Sequence, residues 1–305
     1  MHRLALVVPT KDRPDDLRRM LASLTAQTLL PHQVLIVDGS ERPVSAVVDD
    51  FPQLPLEYVR CVPPSLARQR NAGMARLADG ITLAGYVDDD VVLERDAIEA
   101  MMLFWAAAGP DVGGAAFNIA NNPVPGQMAL KQVFLIDHRR PGRVLPSGCQ
   151  TSLHSHEQDS EVQWLNGGAT IWRRTVIAQY AYDEWFVGTG FMEDVDFSFA
   201  VRGKYRLFVV SGARVAHYSR PVRPERQYLL GKWQVVNRMY IVRKYRARGL
   251  SPAAAWYATA GLLLLNLGAA LLRGSKAHWN RARGNLAGIW SELSGRREQI
   301  GGHLK

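Results

Sequence analysis

The sequence predicts an α/β fold, a mostly parallel central sheet flanked by helices and followed by a helical C-terminal extension. Three observations carry that expectation. Short apolar runs rich in β-branched residues alternate with segments of helical periodicity over residues 4–87, the pattern of βαβ units. Those runs break off on polar residues, Pro9-Thr10, Asp38 and Asp88-Asp89-Asp90. Beyond residue 222 the chain changes to basic and then uncharged helical stretches.

Residues 4–8 (LALVV) make a short buried strand ended by Pro9. Helical spacing of Leu17, Met20, Leu21 and Leu24 predicts a helix over 15–27. Residues 34–37 form the second strand, stopped at Asp38-Gly39-Ser40, and residues 56–59 the third. A helix over 65–78 leads to a strand over 81–87 that runs into the three aspartates. Glycine, proline and asparagine clusters loosen the pattern from 109 to 170, which reads as loops and short strands around an acceptor site. Residues 192–202 are helical, 205–210 a strand, and 225–248 a basic helix interleaved with Tyr and Trp. Then 253–272 run 20 residues without a charge, opened by Ser251-Pro252 and stopped at Gly274. At about 1.5 Å per residue that segment reaches roughly 30 Å, the thickness of a bilayer core. Seven alanines, two glycines and Asn266 weaken it as a span, leaving four readings: spanning, lying in the interface, a dimer contact, or a buried helix. The expected domains are residues 1–222, catalytic, and 223–305, a basic and apolar extension.

With 47% hydrophobic and 21% charged residues among 305, the chain is an ordinary folded protein, not a disordered one. Its two cysteines, Cys61 and Cys149, lack zinc-ligand spacing and fit a reducing cytosol as small buried residues. The apolar run before Pro9 is too short for a signal peptide, so the expected location is the cytoplasmic face of the cell membrane, peripheral or singly anchored. The net charge of +9 is unevenly spread. Residues 201–305 hold 20 Lys+Arg against 3 Asp+Glu, and residues 1–200 hold 17 against 25. A basic tail suits an anionic membrane surface. Nucleic acid is the weaker partner, because no zinc-finger spacing or RNA-binding signature accompanies the charge.

In open α/β sheets ligands bind at the carboxyl ends of the strands, where the polar residues named above collect. Three consecutive carboxylates there are costly unless a cation sits among them, and hard cations such as Mg2+ or Mn2+ take oxygen ligands. The bland alternative is a solvated acidic turn. Glu193-Asp194-Val195-Asp196 follows Gly188-Thr189-Gly190-Phe191; its carboxylates cap a helix or supply a general base. No dinucleotide fingerprint or P-loop follows the first strand.

Six stretches in this order resemble the family 2 glycosyltransferases, nucleotide-sugar-dependent inverting enzymes of GT-A fold. They are VVPTKDRPDDLRRMLASLTAQT (7–28), IVDGS (36–40), SLARQRNAGM (65–74), YVDDDVVL (86–93), WLNGGATIWRR (164–174) and GFMEDVDFSFAVRGKY (190–205). The resemblance implies that Pro9, Thr10 and Arg13 line the nucleotide pocket and that Asp38 accepts hydrogen bonds from the base. It implies that Arg68 and Asn71 hold the base or diphosphate. Asp88 and Asp89 join that set, Asp88 meeting the ribose or a metal-bound water. Asp90, with Asp88 and His217, would hold Mn2+ or Mg2+. Asp194 would be the general base, Glu193 its support or an acceptor contact, and Trp164, Asn166, Gly167 and Gly168 would shape the acceptor side.

The same resemblance implies a metal-dependent hexosyl- or deoxyhexosyltransferase using a UDP, GDP or dTDP sugar. Its acceptor would be a glycan or lipid-linked hydroxyl in bacterial cell-surface polysaccharide or glycolipid assembly. A homodimer is compatible. Gly39 after Asp38 departs from the usual pattern and leaves the base open. The Gln-x-x-Arg-Trp motif of processive synthases is absent, Gln227 to Trp233 not fitting it, so single addition is favoured. Competing readings are a catalytically inactive scaffold of the same fold, or a sugar-nucleotide pyrophosphorylase; the latter would need a glycine-rich basic loop where this chain has PTKDRPDD.

Overall fold

The computed structural model describes residues 2–122, 129–188, 190–220 and 222–295. The chain forms two compact units. The first comprises Met1–Pro125, Leu153–Glu184 and Gly188–Ser219; the second comprises Gly126–Ser152, Trp185–Val187 and Arg220–Lys305. Residues 126–152 join the second unit because Leu145 and Cys149 pack on Ala258, with Ile136 against them.

The first unit is built on one sheet. Its strands are β1 (Leu4–Thr10), β2 (Gln33–Asp38), β3 (Leu56–Arg60), β4 (Leu83–Val87), β5 (Val91–Leu93), β6 (Val112–Ile119), β7 (Ser160–Val162), β8 (Ala169–Arg173) and β9 (Arg206–His217). The order is β3-β2-β1-β4-β8-β6-β9-β5, with β7 also on β9. The run β3-β2-β1-β4 is parallel, as the alternating pattern requires. β8 enters antiparallel between β4 and β6, so the sheet as a whole is mixed. β6 lies inside 109–170, where loops and short strands were expected. Its VGGAAFNI run is fully buried and shows no alternation, so its two glycines read as a break.

Helices cover the sheet: α1 (Pro14–Thr25), α2 (Ser45–Asp49), α3 (Leu66–Met74) and α4 (Ala97–Ala107). Leu17, Met20, Leu21 and Leu24 of α1 and Ile98, Met101 and Trp105 of α4 enter the same core as Leu4, Leu6, Val34 and Ile36. Burying such side chains contributes roughly 1.5–3 kcal/mol each. In the second unit, α5 (Ala129–Val133) precedes the Leu145–Cys149 turn; α6 (Arg174–Ile177) and α7 (Glu193–Val201) belong to the first. Three long helices complete the second unit, α8 (Gln227–Lys244), α9 (Pro252–Arg273) and α10 (Lys276–Leu293). Ser251 caps α9 by accepting from Ala254 N–H, and Gly274 ends it in a left-handed conformation.

Candidate active site

Strand register assembles the site. Thr10 at the end of β1 lies beside Asp38 of β2, which lies beside Arg60 of β3. β4 delivers Asp88, Asp89 and Asp90 next to that row, and Thr10 Oγ1 donates to Asp89 at 2.8 Å. β8 runs antiparallel to β4 with Ala169 opposite Val87, which brings Gly168 O to the Asp88 N–H at 2.8 Å. β9 pairs with β5 so that His217 lies opposite Val91, the residue after the last aspartate.

Asp88, Asp90 and His217 each present a ligand atom, and these lie within 4.8 Å of one another. Asp90 Oδ1 is buried, takes no hydrogen bond from the backbone or a hydroxyl, and sits 2.9 Å from His217 Nε2. A buried carboxylate oxygen whose one close polar neighbour is an imidazole nitrogen is a place where a cation can be held between them. One histidine nitrogen and carboxylate oxygens suit Mn2+ or Mg2+, so the residues fit a hard divalent ion. Burial works against charge on both groups, but their contact wins: Asp90 stays below the usual carboxylate range, and His217 rises above the usual imidazole value. Asp89 differs. It accepts from Thr10 and Arg13, and burial pushes it up to about 7 despite them. Arg13 spans Asp89 at 3.2 Å and Asp90 at 3.1 Å.

Arg70 is not among the residues that the sequence singles out, yet it organises the other half. Its fully buried guanidinium donates to Asp88 at 3.2 Å and to Glu193 at 2.8 Å. The face of α3 that it shares with Ala67, Gly73 and Met74 is buried. An arginine at that helical spacing among small and apolar residues is the signal that sequence reading could have used. Gly167 makes room for it, since a Cβ there would stand 2.6 Å from Arg70 Nη1. Asp194 lies alongside, its Oδ2 receiving the Gly167 N–H at 3.3 Å and its Oδ1 the Val195 N–H at 2.8 Å. Arg70 thus faces Asp88, Glu193 and Asp194 with one positive charge against three carboxyls. Burial and Asp194 push Glu193 up to about 8 against the pull of Arg70, and burial raises Asp194 as well. Glu193 is 5% exposed, whereas Asp194 keeps an accessible edge.

Asp38 is wholly buried and accepts from Ser40 N–H, Val44 N–H, the Tyr58 hydroxyl and Arg60. Those donors hold it below the usual range against burial, and they fix the 38–44 loop. Pro9 is buried in β1 opposite Val37. Arg68 reaches Glu184 at 3.4 Å, and the Asn71 side chain pairs with both backbone groups of Tyr182. Both therefore hold the 182–184 loop rather than facing the aspartates. Trp164 is buried, and Asn166 accepts from Gly168 N–H. Thr189 lies outside the described residues.

The family model for glycosyl transferase family 2 matches residues 5–177. No curated protein matches the chain. Among solved structures, the mannosyltransferase PcManGT from Pyrobaculum calidifontis, in complex with GDP-Man and Mn2+, is 17% identical. That match covers 96% of this chain and 88% of that one at a TM-score of 0.58. Residues 1–349 of S. aureus TarS in complex with UDP-GlcNAc are 16% identical, covering 97% and 92% at 0.51. A longer TarS chain is 17% identical at 0.53, and there the match covers 87% of this chain and only 43% of that one. At such identities the likeness shows the GT-A fold.

Proposed function

The chain belongs to glycosyl transferase family 2 and is a nucleotide-sugar-dependent glycosyltransferase; from that premise we propose an inverting, metal-assisted hexosyl or deoxyhexosyl transfer to a hydroxyl of a glycan or lipid-linked acceptor. The observation that carries this reading is Arg70. It touches Asp88 of the metal-fitting cluster and Glu193 beside Asp194, so a donor site and a candidate base share one buried cation.

In this reading the nucleotide lies along the strand ends at Thr10, Arg13 and Asp88. Asp38 acts through the loop it fixes, since its own oxygens are occupied by the chain. Asp88, Asp90 and His217 would hold Mn2+ or Mg2+, whose charge offsets the negative charge developing on the diphosphate. Asp194, the more accessible of the two acidic residues, takes the proton from the acceptor hydroxyl. That oxygen bonds to the anomeric carbon from the face opposite the diphosphate, the bond from that carbon to the diphosphate oxygen breaks, and configuration inverts. A carboxyl raised toward neutrality by burial is a better base for this step than an ordinary surface aspartate. Asp89 would support the loop through Thr10 and Arg13. The excess of basic residues in the second unit supports a reaction at the cytoplasmic face of a membrane.

Calorimetric titration with UDP, GDP and dTDP, each with and without Mn2+, tests the donor half. One diphosphate should bind in a metal-dependent way, and Asp90→Asn should weaken that binding about 10–100-fold. Equal binding with and without metal would remove Asp90 and His217 from the mechanism. PcManGT is recorded with GDP-Man and Mn2+ and TarS with UDP-GlcNAc, which makes GDP and UDP the first to try.

A further inference from the structure

In the second unit α8, α9 and α10 form a tight assembly. A Cβ on Gly284 would stand 2.0 Å from Tyr228 O, and one on Gly231 would stand 2.2 Å from Arg281 O, so the backbones of α8 and α10 nearly touch. The buried Asn266 of α9 donates to the buried Asn285 of α10 at 2.9 Å, and Asn285 donates to Gly231 O at 2.9 Å. α9 and α10 are joined only through Gly274-Ser275, so they run antiparallel. Outward from the Asn266–Asn285 bond, Leu264 is level with Leu286, Leu271 with Trp279, and Tyr257 with Leu293.

All six of those side chains are exposed, as are Leu272 (89%) and Trp290 (69%). On each helix three of the exposed apolar residues recur every seven positions, 257, 264 and 271 on α9 and 279, 286 and 293 on α10. This is a stripe rather than scatter, and contiguous exposed apolar surface of this kind marks an interaction site. Arg273, Lys276 and Arg283 are exposed beside it, whereas Glu292 is buried in an ion pair with Arg243.

We propose that the α9–α10 hairpin lies flat on an anionic lipid bilayer, with its leucines in the acyl boundary and Trp279, Trp290 and Tyr257 at headgroup level. Three features select this occupant. Exposed indole and phenol rings among the leucines of an apolar stripe suit the interface, and exposed basic groups suit anionic headgroups. A second copy on the same face would bring Arg273, Lys276 and Arg283 toward their counterparts with no exposed acid on either helix to answer them. Spanning by α9 is disfavoured because α10 is bonded at its middle. Lys276, His278, Arg281 and Arg283 would be drawn into the hydrocarbon with it.

The inference rests on the membrane part of the function proposed above but not on its chemistry. Sedimentation of the full chain with vesicles, without donor or acceptor, therefore tests it separately from turnover. The chain should pellet with vesicles of phosphatidylglycerol and phosphatidylcholine in equal parts, and poorly with phosphatidylcholine alone. Lys276→Glu and Arg273→Glu should each weaken binding by about fivefold or more, and Leu286→Ser with Trp290→Ser by roughly tenfold or more. Thermal unfolding should be unchanged, since these side chains are exposed. Brominated lipid should quench the fluorescence that Trp290→Phe removes, more strongly when the bromines are near the headgroup than at the chain end. No pelleting, or pelleting insensitive to these substitutions, would overturn the proposal. So would a dimer in solution that the same substitutions dissolve, or stronger quenching from the chain end.

Discussion

The strand-end site of the first unit and the helical assembly of the second both bury polar groups, but they leave different things unsatisfied. In the helical unit Asn266 pairs with Asn285 and Arg243 with Glu292, Arg238 Nε and Nη1 and Thr259 Oγ1 are buried without a hydrogen bond, and an apolar stripe stays exposed. In the sheet unit Arg70 answers three carboxyls with one charge, and Asp90 Oδ1 has only the His217 ring beside it. The first region's exposed excess is apolar, which in the inference above meets a lipid surface. The second region's excess is carboxylate, which in the proposed function a divalent cation would offset. Unsatisfied groups are expensive to keep, so the kind that a region retains indicates the kind of partner it meets.

Asp194→Asn should have the largest effect. Amide replacement is nearly isosteric but removes the proton acceptor, and its one oxygen can accept from only one of the Gly167 and Val195 N–H groups. Turnover should fall by about 10²–10⁴ with nucleotide affinity unchanged, measured by release of labelled donor sugar. Retained turnover would take the base role away from Asp194. Next, breaking one partner in each region should separate them. Arg70→Met leaves buried carboxyls without their cation and should cost about 3–5 kcal/mol in chemical denaturation. Asn266→Leu leaves only one amide oxygen short of a donor and should cost about 1–3 kcal/mol. Equal losses would mean that Arg70 is as self-contained a contact as the Asn pair.

The smallest effect is in pH. Glu193 carries a proton in the fold up to about 8 that the unfolded chain releases near the ordinary value of 4.5. The unfolded chain therefore binds fewer protons between those limits. This contribution is fully present below 4.5 and is lost as pH rises through about 8. Melting curves of wild type should fall over that window, and Glu193→Gln should flatten the fall. An unchanged slope would show that Arg70 keeps Glu193 ionised throughout.

The parallel run β3-β2-β1-β4 was legible because β1, β2 and β4 are short apolar segments ending in a breaker and buried on both faces, while β3 is a half-exposed edge strand. The three aspartates and Glu193-Asp194 stood out because charge beside an apolar run is costly and so conspicuous, whereas His217 was implied only by the family resemblance. β6 was not, since Gly113 and Gly114 hide a strand from any pattern based on side chains. Nor was α10, whose 18 residues mix charge with tryptophan and declare a face only once α8 and α9 have covered the other. Arg70 and Asn71 are neighbours in sequence, but helix α3 turns one toward the carboxyls and the other toward Tyr182. Sequence by itself determined the sheet, the acidic strand ends and the basic, apolar tail, because those depend on local hydrophobicity and charge. Which arginine meets the acids, and which faces of α9 and α10 stay bare, was decided by tertiary structure, because both depend on contacts between residues far apart in the chain.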